Sequence, residues 1–183
     1  MNEFLILVDE NDNPVGVQEK ISVHREGLLH RAFSVFIFNT RGELLLQQRA
    51  DDKYHSAGLW TNTCCSHPRF GEDIDTAVKR RLLEEMGLQC KTNYAFSFIY
   101  KAVFENGLTE HEYDNVYLGI TDQLPIIETS EVKNWKYVSL QKLKSDVAKH
   151  PDEYTQWMKI CLDRLISFVW DIHLSKTIKK IIP

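Results

Sequence analysis

The stretch WTNTCCSHP, Trp60 to Pro68, places two thiols and an imidazole within a few positions of one another. A disulfide between Cys64 and Cys65 is not expected, because adjacent residues seldom reach the geometry that the bridge needs. If the segment is extended, Cys65 and His67 are two residues apart and project from the same face. The stretch is therefore either the buried end of a strand or part of a site into which both side chains point.

A predicted helix over residues 73–86 also carries reactive groups. At about 100° per residue, Arg81 and Glu85 fall within the apolar face of this helix rather than opposite it. They could form an i,i+4 ion pair with partly buried stems. Buried charge is costly unless it is paired or bound to a metal, so a ligand or metal site is the alternative. The apolar residues of this face are Ile74, Ala77, Val78, Leu82 and Met86.

Carboxylates alternate in the segment TEHEYDNVYLGI. If it is extended, Glu110, Glu112 and Asp114 point to the side that faces the core. Like charges at this spacing repel, and a metal ion, a proton held by one carboxylate or a nearby base would relieve the repulsion. A solvated acidic loop before the strand is the alternative. The apolar residues on the same face are Val116, Leu118 and Ile120.

Three histidines and two of these glutamates form a candidate ligand set for a metal ion. Such a set offers nitrogen and oxygen donors that suit an octahedral divalent ion such as Mg²⁺ or Mn²⁺ better than tetrahedral structural zinc. Each histidine alone is more typical of a surface or hydrogen-bonded residue. The set is His24, His30, His67, Glu110 and Glu112.

Four basic residues lie near the same segments: Lys20, Arg49, Lys53 and Arg81. Ordinary solvation explains each of them singly. Together they suit a diphosphate, whose charge needs cations and usually a Mg²⁺ ion.

The elements that must position these groups follow an α+β order. Six apolar runs have strand character, and NTRG between the second and third predicts a hairpin. Three segments have helical periodicity, the second with Ser139 as its N-cap. The predicted strands are residues 4–8, 33–38, 44–48, 94–103, 116–120 and 135–138. The predicted helices are residues 73–86, 140–149 and about 152–173.

The length, charge and cysteine pattern of the whole chain limit the functions that it can have. Its 183 residues suit one domain, and a net charge of −4 gives no reason to expect nucleic acid. Four cysteines without CxxC spacing and no leader-like N-terminus predict a reducing, cytoplasmic setting. No apolar run approaches the roughly 18 residues that span a bilayer, so no stable membrane insertion is expected. The basic tail, about residues 174–183, is expected to be solvated, with membrane contact as the alternative. The expected assembly is a monomer or a homodimer.

The segment FGEDIDTAVKRRLLEEMGL resembles the second half of a Nudix box, with Gly71-Glu72 matching its GE and residues 84–87 matching its EExG. Ser66 stands where the box opens with glycine. Arg81 stands where a hydrolase has a metal-binding glutamate. Losing that carboxylate removes a ligand for the activating metals and argues against diphosphate hydrolysis.

These departures, together with HREGLLHRAFS, WTNTCCSHP and EHEYDNVY, resemble the type I isopentenyl-diphosphate isomerases, a Nudix-fold family that does not hydrolyse its substrate. The resemblance runs from about residue 4 to residue 163. It implies a single domain over residues 1–183, with a core of about 29–163 and a mixed β-sheet flanked by helices. It also implies the family's reaction, which converts isopentenyl diphosphate to dimethylallyl diphosphate by protonation and deprotonation through a tertiary carbocation.

The resemblance assigns roles to four residues near the reacting carbons. Cys65 falls on the catalytic thiol, with Cys64 as a non-catalytic neighbour. Glu112 falls on a carboxylate that serves as acid or base and as a metal ligand. Tyr100 falls on a tyrosine that helps proton transfer, and Trp157 on an indole that faces the reacting carbons.

The remaining implied roles concern metals and the diphosphate. Glu85 falls on a ligand for the Mg²⁺ ion that accompanies the substrate. A second divalent ion, Mn²⁺, Mg²⁺ or Zn²⁺, would be held by the three histidines with Glu110 and Glu112. The implied phosphate-binding cations are Lys20, Arg49, Lys53 and Arg81.

Protonating an unactivated alkene requires an acid screened from water, such as a metal-bound carboxylate. Cys65 could take the second proton as a thiolate if nearby charge lowers its pKa. Which of Cys65 and Glu112 protonates stays open at this point. A Nudix-type diphosphate hydrolase is the alternative enzyme, and a non-catalytic metal- or nucleotide-binding module is the alternative outside enzymes.

Overall fold

The structure, a computed structural model, describes the backbone of residues 3–181 and the side chains as far as residue 172. The expected basic tail lies outside the described side chains. Within this part of the chain there are nine strands and four helices. The strands are β1 (Phe4–Val8), β2 (Pro14–Glu19), β3 (His30–Phe38), β4 (Glu43–Arg49), β5 (Trp60–Thr61), β6 (Cys64–Ser66), β7 (Thr92–Val103), β8 (Thr109–Ile120) and β9 (Val132–Ser139). The helices are α1 (Lys20–Glu26), α2 (Ile74–Met86), α3 (Leu140–Lys149) and α4 (Gln156–Ile181).

Strand β3 is the centre of a mixed sheet. It pairs in parallel with β8 along its whole length, from His30 opposite Glu112 to Phe38 opposite Ile120. On its other side it pairs antiparallel with β1, β6 and β4. Strand β7 extends the sheet beyond β8, and β9 and β5 both pair with β4. This architecture confirms the predicted fold class.

The apolar residues of β3 point alternately to two cores, because successive side chains of a strand face opposite ways. Val35 and Ile37 pack against α2, whereas Phe36 and Phe38 pack against α4. Burial of each such side chain stabilises the fold by about 1.5–3 kcal/mol. A strand that is covered by helices on both faces has a nearly continuous apolar sequence. This explains the stretch FSVFIF at residues 33–38.

Helix α2 has the predicted face and clear ends. The Asp73 carboxylate accepts from the Thr76 amide as the N-cap, and Gly87 ends the helix in the left-handed conformation at φ 63°. Its buried residues include Glu85, as the periodicity predicted.

Among the helices of the described residues, none combines the length and the apolar character that a membrane crossing needs.

The predicted hairpin between β3 and β4 is correct for its turn and wrong for the pairing of the two strands. The Asn39 amide donates to the Glu43 carbonyl and closes the NTRG turn. However, β3 and β4 pair only between Phe38 and Leu44. Beyond that pair the strands separate, because β4 bonds to β9 and β5 while β3 bonds to β6.

Other boundaries also differ from the prediction. Strand β8 begins at Thr109 rather than at 116, so the carboxylates lie within a strand and the solvated-loop alternative is wrong. Ile120, predicted to face the core, is 67% exposed because it lies at the strand end. Helix α4 begins later than predicted, since Pro151–Glu153 forms a 3₁₀ turn. Strand β2 and helix α1 were not predicted, and β5 and β6 were considered only as the end of a strand within residues 60–68.

Candidate active site

A pocket opens where β3 and β4 separate, and residues from both faces of the sheet reach it. Of the residues predicted to act chemically, all but His24 and His30 line this pocket. Those two are fully buried beside it. The lining residues are Lys20, Gln47, Arg49, Lys53, Tyr54, His55, Cys65, Ser66, His67, Arg81, Glu85, Tyr100, Glu110, Glu112, Glu131 and Trp157.

The predicted histidines and glutamates meet at one end of the pocket. His24 Nε2 lies 3.1 Å from Glu110 Oε2, and His67 Nε2 lies 3.0 Å from Glu112 Oε1. The Nε2 atoms of His30 and His67 are 3.2 Å apart. One potential ligand atom from each of His24, His30, His67 and Glu110 falls within 4.8 Å of the others. We call these three histidines with Glu110 and Glu112 the His/Glu cluster.

The hydrogen bonds of the His/Glu cluster fit a metal ion. His24 Nδ1 donates to the Lys20 carbonyl at 2.6 Å, and His30 Nδ1 donates to the Leu28 carbonyl at 2.9 Å. When the ring is neutral, this leaves each Nε2 with a lone pair directed into the cluster. Lone pairs and carboxylate oxygens that face one another require a proton or a cation between them. The cluster could therefore hold a divalent ion with nitrogen and oxygen ligands.

Electrostatic balance within the cluster favours ionised carboxylates. Burial raises the pKa of Glu110, but hydrogen bonds from His24 and His55 outweigh it and hold that pKa well below its usual value. Burial opposes charge on His24 as well, yet Glu110 raises the His24 pKa overall. At His67 burial prevails and lowers the pKa.

Asp114, the third carboxylate of the alternating segment, lies deeper. Its Oδ2 accepts from the Ser34 hydroxyl at 2.8 Å, and its Oδ1 is buried without a protein partner. Burial first, and then Glu112, raises the Asp114 pKa well above the usual value. A proton held by Asp114 therefore relieves part of the repulsion that the sequence pattern indicated.

Tyr100 and Glu112 form a direct pair across β7 and β8. They are opposite one another in the register, and the Tyr100 hydroxyl donates to Glu112 Oε2 at 2.7 Å. Burial and Glu110 raise the pKa of Glu112, but the neighbouring imidazoles of His30 and His67 outweigh them and lower it. Burial raises the pKa of Tyr100 well above its usual value, so the phenol keeps its proton.

Strand β6 directs its two cysteines to opposite faces. Cys64 is fully buried in the core under α2, whereas Cys65 lines the pocket with His67. All four cysteines of the chain are free thiols. Burial raises the pKa of Cys65, and Arg49 opposes this only in part. The lowered pKa that a resting thiolate would need is therefore not found.

Trp157 brings an aromatic ring to the pocket from α4. Its Nε1 donates to Asn62 Oδ1 at 3.2 Å, which fixes the indole plane. The Arg49 guanidinium lies 5.3 Å from the ring centroid. The ring face is therefore already in contact with a cation, as its π-electron density favours.

The four predicted basic residues line the pocket, and Lys20, Lys53 and Arg81 pair with carboxylates. Lys20 Nζ lies 2.8 Å from Glu3, and Lys53 Nζ lies 2.5 Å from Glu131. Arg81 Nη2 is 3.3 Å from the same Glu131 carboxylate. The Nε atoms of Arg49 and Arg81 are buried without a partner in the protein, so these side chains retain donors for an anion.

The i,i+4 ion pair considered for α2 is formed. Arg81 Nη2 donates to Glu85 Oε1 at 2.6 Å, and Gln47 donates to Glu85 Oε2 at 2.9 Å. Because Arg81 and Glu85 also line the pocket, the ion pair and a role in binding are compatible.

Several polar residues of the pocket region were not predicted from the sequence, among them His55, Glu131 and Asn62. His55 contacts Glu110, Glu131 contacts two cations, and Asn62 holds Trp157. His55 and Asn62 lie in segments without helical or strand periodicity, so no pattern assigned them a face. Only the density of polar residues between Arg49 and His67 could have indicated them.

Comparison with known proteins gives the family. The NUDIX domain family matches residues 28–158. Isopentenyl-diphosphate Delta-isomerase 2 of Photorhabdus laumondii is 52% identical over 165 residues, which cover 90% of this chain and 93% of that protein. Isopentenyl-diphosphate Delta-isomerase 2 of Aromatoleum aromaticum is 50% identical over 91% of this chain and 88% of its own length. The chain belongs to the type I isopentenyl-diphosphate isomerases, within the Nudix superfamily.

Two solved structures have the same overall fold as this isomerase. A crystal structure from Deinococcus radiodurans superposes with a TM-score of 0.75 at 20% identity, covering 88% of the isomerase chain and 98% of the other. A MutT protein from Methanosarcina mazei superposes with a TM-score of 0.64 at 18% identity, covering 78% and 94% of the two chains. These superpositions agree with the predicted fold, and the sequence relatives confirm the resemblance that the motifs indicated.

Proposed function

We propose that this isomerase interconverts isopentenyl diphosphate and dimethylallyl diphosphate with Cys65, Glu112, Tyr100 and Trp157 at the reacting carbons. The observation that carries the proposal is the convergence of a thiol, a carboxylate and an indole on one pocket that also holds basic side chains and the His/Glu cluster. A small isoprenoid diphosphate needs cations at one end and proton-transfer groups at the other. The pocket offers both.

The basic residues anchor the diphosphate in this proposal. Its oxygens accept from Arg49 and Arg81, which have unpartnered Nε donors, and from Lys20 and Lys53. The substrate anion displaces the carboxylates that now pair with the lysines. Glu85 holds the Mg²⁺ ion that accompanies the diphosphate. Binding energy at this end fixes the position of the alkene at the other.

The His/Glu cluster holds the second divalent ion, Mn²⁺, Mg²⁺ or Zn²⁺, in the proposal. When bound, such an ion supplies positive charge that offsets the repulsion of the two glutamates and tunes their acidity. His24 and His30 stay oriented because backbone carbonyls accept from their Nδ1 atoms. Glu112 remains in contact with Tyr100 through its Oε2 atom.

Proton transfer is assigned to Cys65 and to the Glu112–Tyr100 pair. Cys65 on β6 and Glu112 on β8 belong to strands that flank β3 on opposite sides, so an alkene above β3 lies between them. One group adds a proton to the terminal alkene carbon, and the other removes a proton from the carbon next to the diphosphate-bearing methylene. The double bond moves, and the number of protons on the substrate is unchanged. General acid and base groups of this kind contribute about 10²–10⁴ in rate.

Trp157 stabilises the tertiary carbocation between the two proton transfers. The face of an indole attracts a desolvated cation by about 2 kcal/mol. The side chain is 5% exposed and fixed by Asn62, so it also excludes water that would trap the cation.

The position of Arg81 distinguishes this reaction from hydrolysis. A Nudix hydrolase has a metal-binding glutamate at this point of the box, whereas Arg81 donates to Glu85 here. The substitution replaces a metal ligand by a cation that binds phosphate.

Four free thiols suit a reducing compartment, and we place the reaction in the cytoplasm.

A proton NMR time course in D₂O tests the proposal. Purified protein with isopentenyl diphosphate, Mg²⁺ and Mn²⁺ is expected to give dimethylallyl diphosphate with deuterium incorporated at carbon. Release of phosphate, with the carbon skeleton unchanged, would favour a Nudix hydrolase instead. Unchanged substrate with every metal combination would contradict an enzymatic role for the pocket.

A further inference from the structure

His55 is a buried histidine outside the His/Glu cluster. It lies between Arg49 and β5, and its ring stacks on Phe104 at 4.8 Å between centroids with a 14° interplanar angle. Trp157 contacts it edge-on at 5.8 Å. Its Nε2 lies 2.8 Å from Glu110 Oε1, within hydrogen-bond distance. Aromatic packing on two sides therefore fixes a ring whose one strong polar contact is a glutamate of the cluster.

The two oxygens of Glu110 face different partners. Oε2 points into the cluster, 3.1 Å from His24 Nε2 and 3.9 Å from His30 Nε2. Oε1 is taken by His55. The residues whose ligand atoms converge within 4.8 Å include Glu110 and not His55. His55 thus contacts Oε1, the Glu110 oxygen on the side away from the His/Glu cluster, and Oε2 stays directed at the cluster.

The tautomer of His55 fits this arrangement. The Ser56 hydroxyl lies 3.3 Å from Nδ1 and can donate to it, which leaves the ring hydrogen on Nε2 where Glu110 accepts it. Ser56 has a positive φ of 50°, an unfavourable conformation for a residue with a side chain. Arg49 Nη2 donates to the His55 carbonyl at 3.3 Å, so the same residue also contacts a predicted diphosphate ligand.

We propose that His55 is a positioning residue of the metal site, which orients Glu110 Oε2 toward the ion through the hydrogen bond to Oε1. Outer hydrogen-bond partners of metal ligands typically account for 10–100-fold in metal affinity. The inference rests on the proposed function only in treating the His/Glu cluster as a metal site.

The test compares His55→Gln with His55→Met. Both variants lose the ring and have side chains of similar length, but only glutamine can place an N–H near the position of Nε2. Mn²⁺ binding to the metal-free protein is measured by titration calorimetry, with the melting temperature of the metal-free protein as a check on folding. We expect His55→Met to bind Mn²⁺ about tenfold more weakly than His55→Gln, at equal melting temperatures. The exposed His150, replaced by methionine, controls for loss of a histidine and should bind Mn²⁺ as the wild type does.

Equal Mn²⁺ affinity in His55→Gln and His55→Met would overturn the inference, as would a wild-type protein that binds no Mn²⁺. If His55→Met fails to fold, the Mn²⁺ affinity of His55→Gln is compared with that of the wild type. A Mn²⁺ affinity within about threefold of the wild type supports the role of the N–H. A loss of about tenfold or more overturns it. The titration uses no substrate. Failure of the isomerisation assay would therefore leave this inference standing, and failure of the titration would leave the proposed reaction standing.

Discussion

Cys64 and Cys65 are identical in chemistry and adjacent in sequence, yet the pleat of β6 gives them different surroundings. Cys64 belongs to the core cluster under α2 that also contains Val35 and Val78, and Cys65 lines the pocket. Alternation alone predicted that Cys65 shares its face with His67. It could not predict that the face opens on a pocket, because that depends on the separation of β3 from β4.

These neighbours provide a matched pair of variants. Cys65→Ala is expected to reduce kcat by about 10²–10⁴ because it removes a group that we propose transfers a proton, with little change in melting temperature. Cys64→Ala should retain activity and lower the free energy of unfolding by about 1 kcal/mol through the cavity that it leaves. Both are measured by the NMR assay and by urea denaturation. Equal loss of activity in the two variants would assign the effect of Cys65 to packing rather than to chemistry.

At the level of elements, the sequence predicted long, strongly patterned segments better than short ones. Periodicity identified α2 and the bounds of α3, and alternation indicated most of the long strands. Helix α1 has seven residues, too few for a periodic signal, and Glu19 is not among the commonest N-cap residues. Strands β5 and β6 have two and three residues and exist only because β4 and β3 pair with them. Strand β8 includes acidic residues that disfavour strands, and its partners β3 and β7 override that preference.

Gly87 shows how the end of α2 constrains its neighbours. A Cβ at Gly87 would lie 2.6 Å from the Ile126 carbonyl oxygen, whereas a Cβ at Gly42 would meet no atom within 4 Å. Both glycines have a left-handed φ, so alanine at either position has a strain cost of about 1–2 kcal/mol. We expect Gly87→Ala to lower the free energy of unfolding at least about twice as much as Gly42→Ala, measured by urea denaturation. Equal losses would mean that the segment around Ile126 moves away at no cost.

The glutamate of the Gly71-Glu72 motif stabilises the start of α2 through a two-point contact with Arg80. Arg80 Nε and Nη2 donate to the two Glu72 oxygens at 2.6 and 2.8 Å. This bond to Arg80 holds the pKa of Glu72 at about 2, below its usual value. A lowered folded-state pKa stabilises the protein above the unfolded pKa of about 4.5, and this contribution is lost as the pH falls toward 2.

Arg80→Ala should therefore lower the melting temperature near neutral pH, and the difference in melting temperature between this variant and the wild type should narrow as the pH falls from about 4.5 toward 2. Thermal unfolding of the metal-free proteins followed by circular dichroism measures this difference. Arg41→Ala is the control, since its pair with Glu43 is exposed and such pairs contribute about 0–1 kcal/mol. A difference for Arg80→Ala that stays constant over this pH range would contradict the role of Glu72.

At the scale of the whole molecule, the site is assembled from segments far apart in the chain. The His/Glu cluster draws on α1, β3, the end of β6 and β8, so its residues range from His24 to Glu112. Lys20 and His24 precede the NUDIX match at residues 28–158. The part of the chain before that match therefore completes the pocket, and contacts such as His24 with Glu110 connect it to β8.

Metal binding should consequently stabilise the whole domain. An ion that binds only the folded state at 100 times its dissociation constant adds about 2.7 kcal/mol. For a chain of this length that corresponds to a rise in melting temperature of about 5–10 °C. We expect chelation to remove both this increment and the isomerase activity, and Mn²⁺ to restore both. His67→Ala should lose the metal-dependent rise because it removes a ligand, whereas the exposed His150→Ala should keep it. A metal-dependent rise that persists in His67→Ala would place the ion elsewhere, because the His/Glu cluster without His67 lacks the nitrogen that faces both His30 and Glu112.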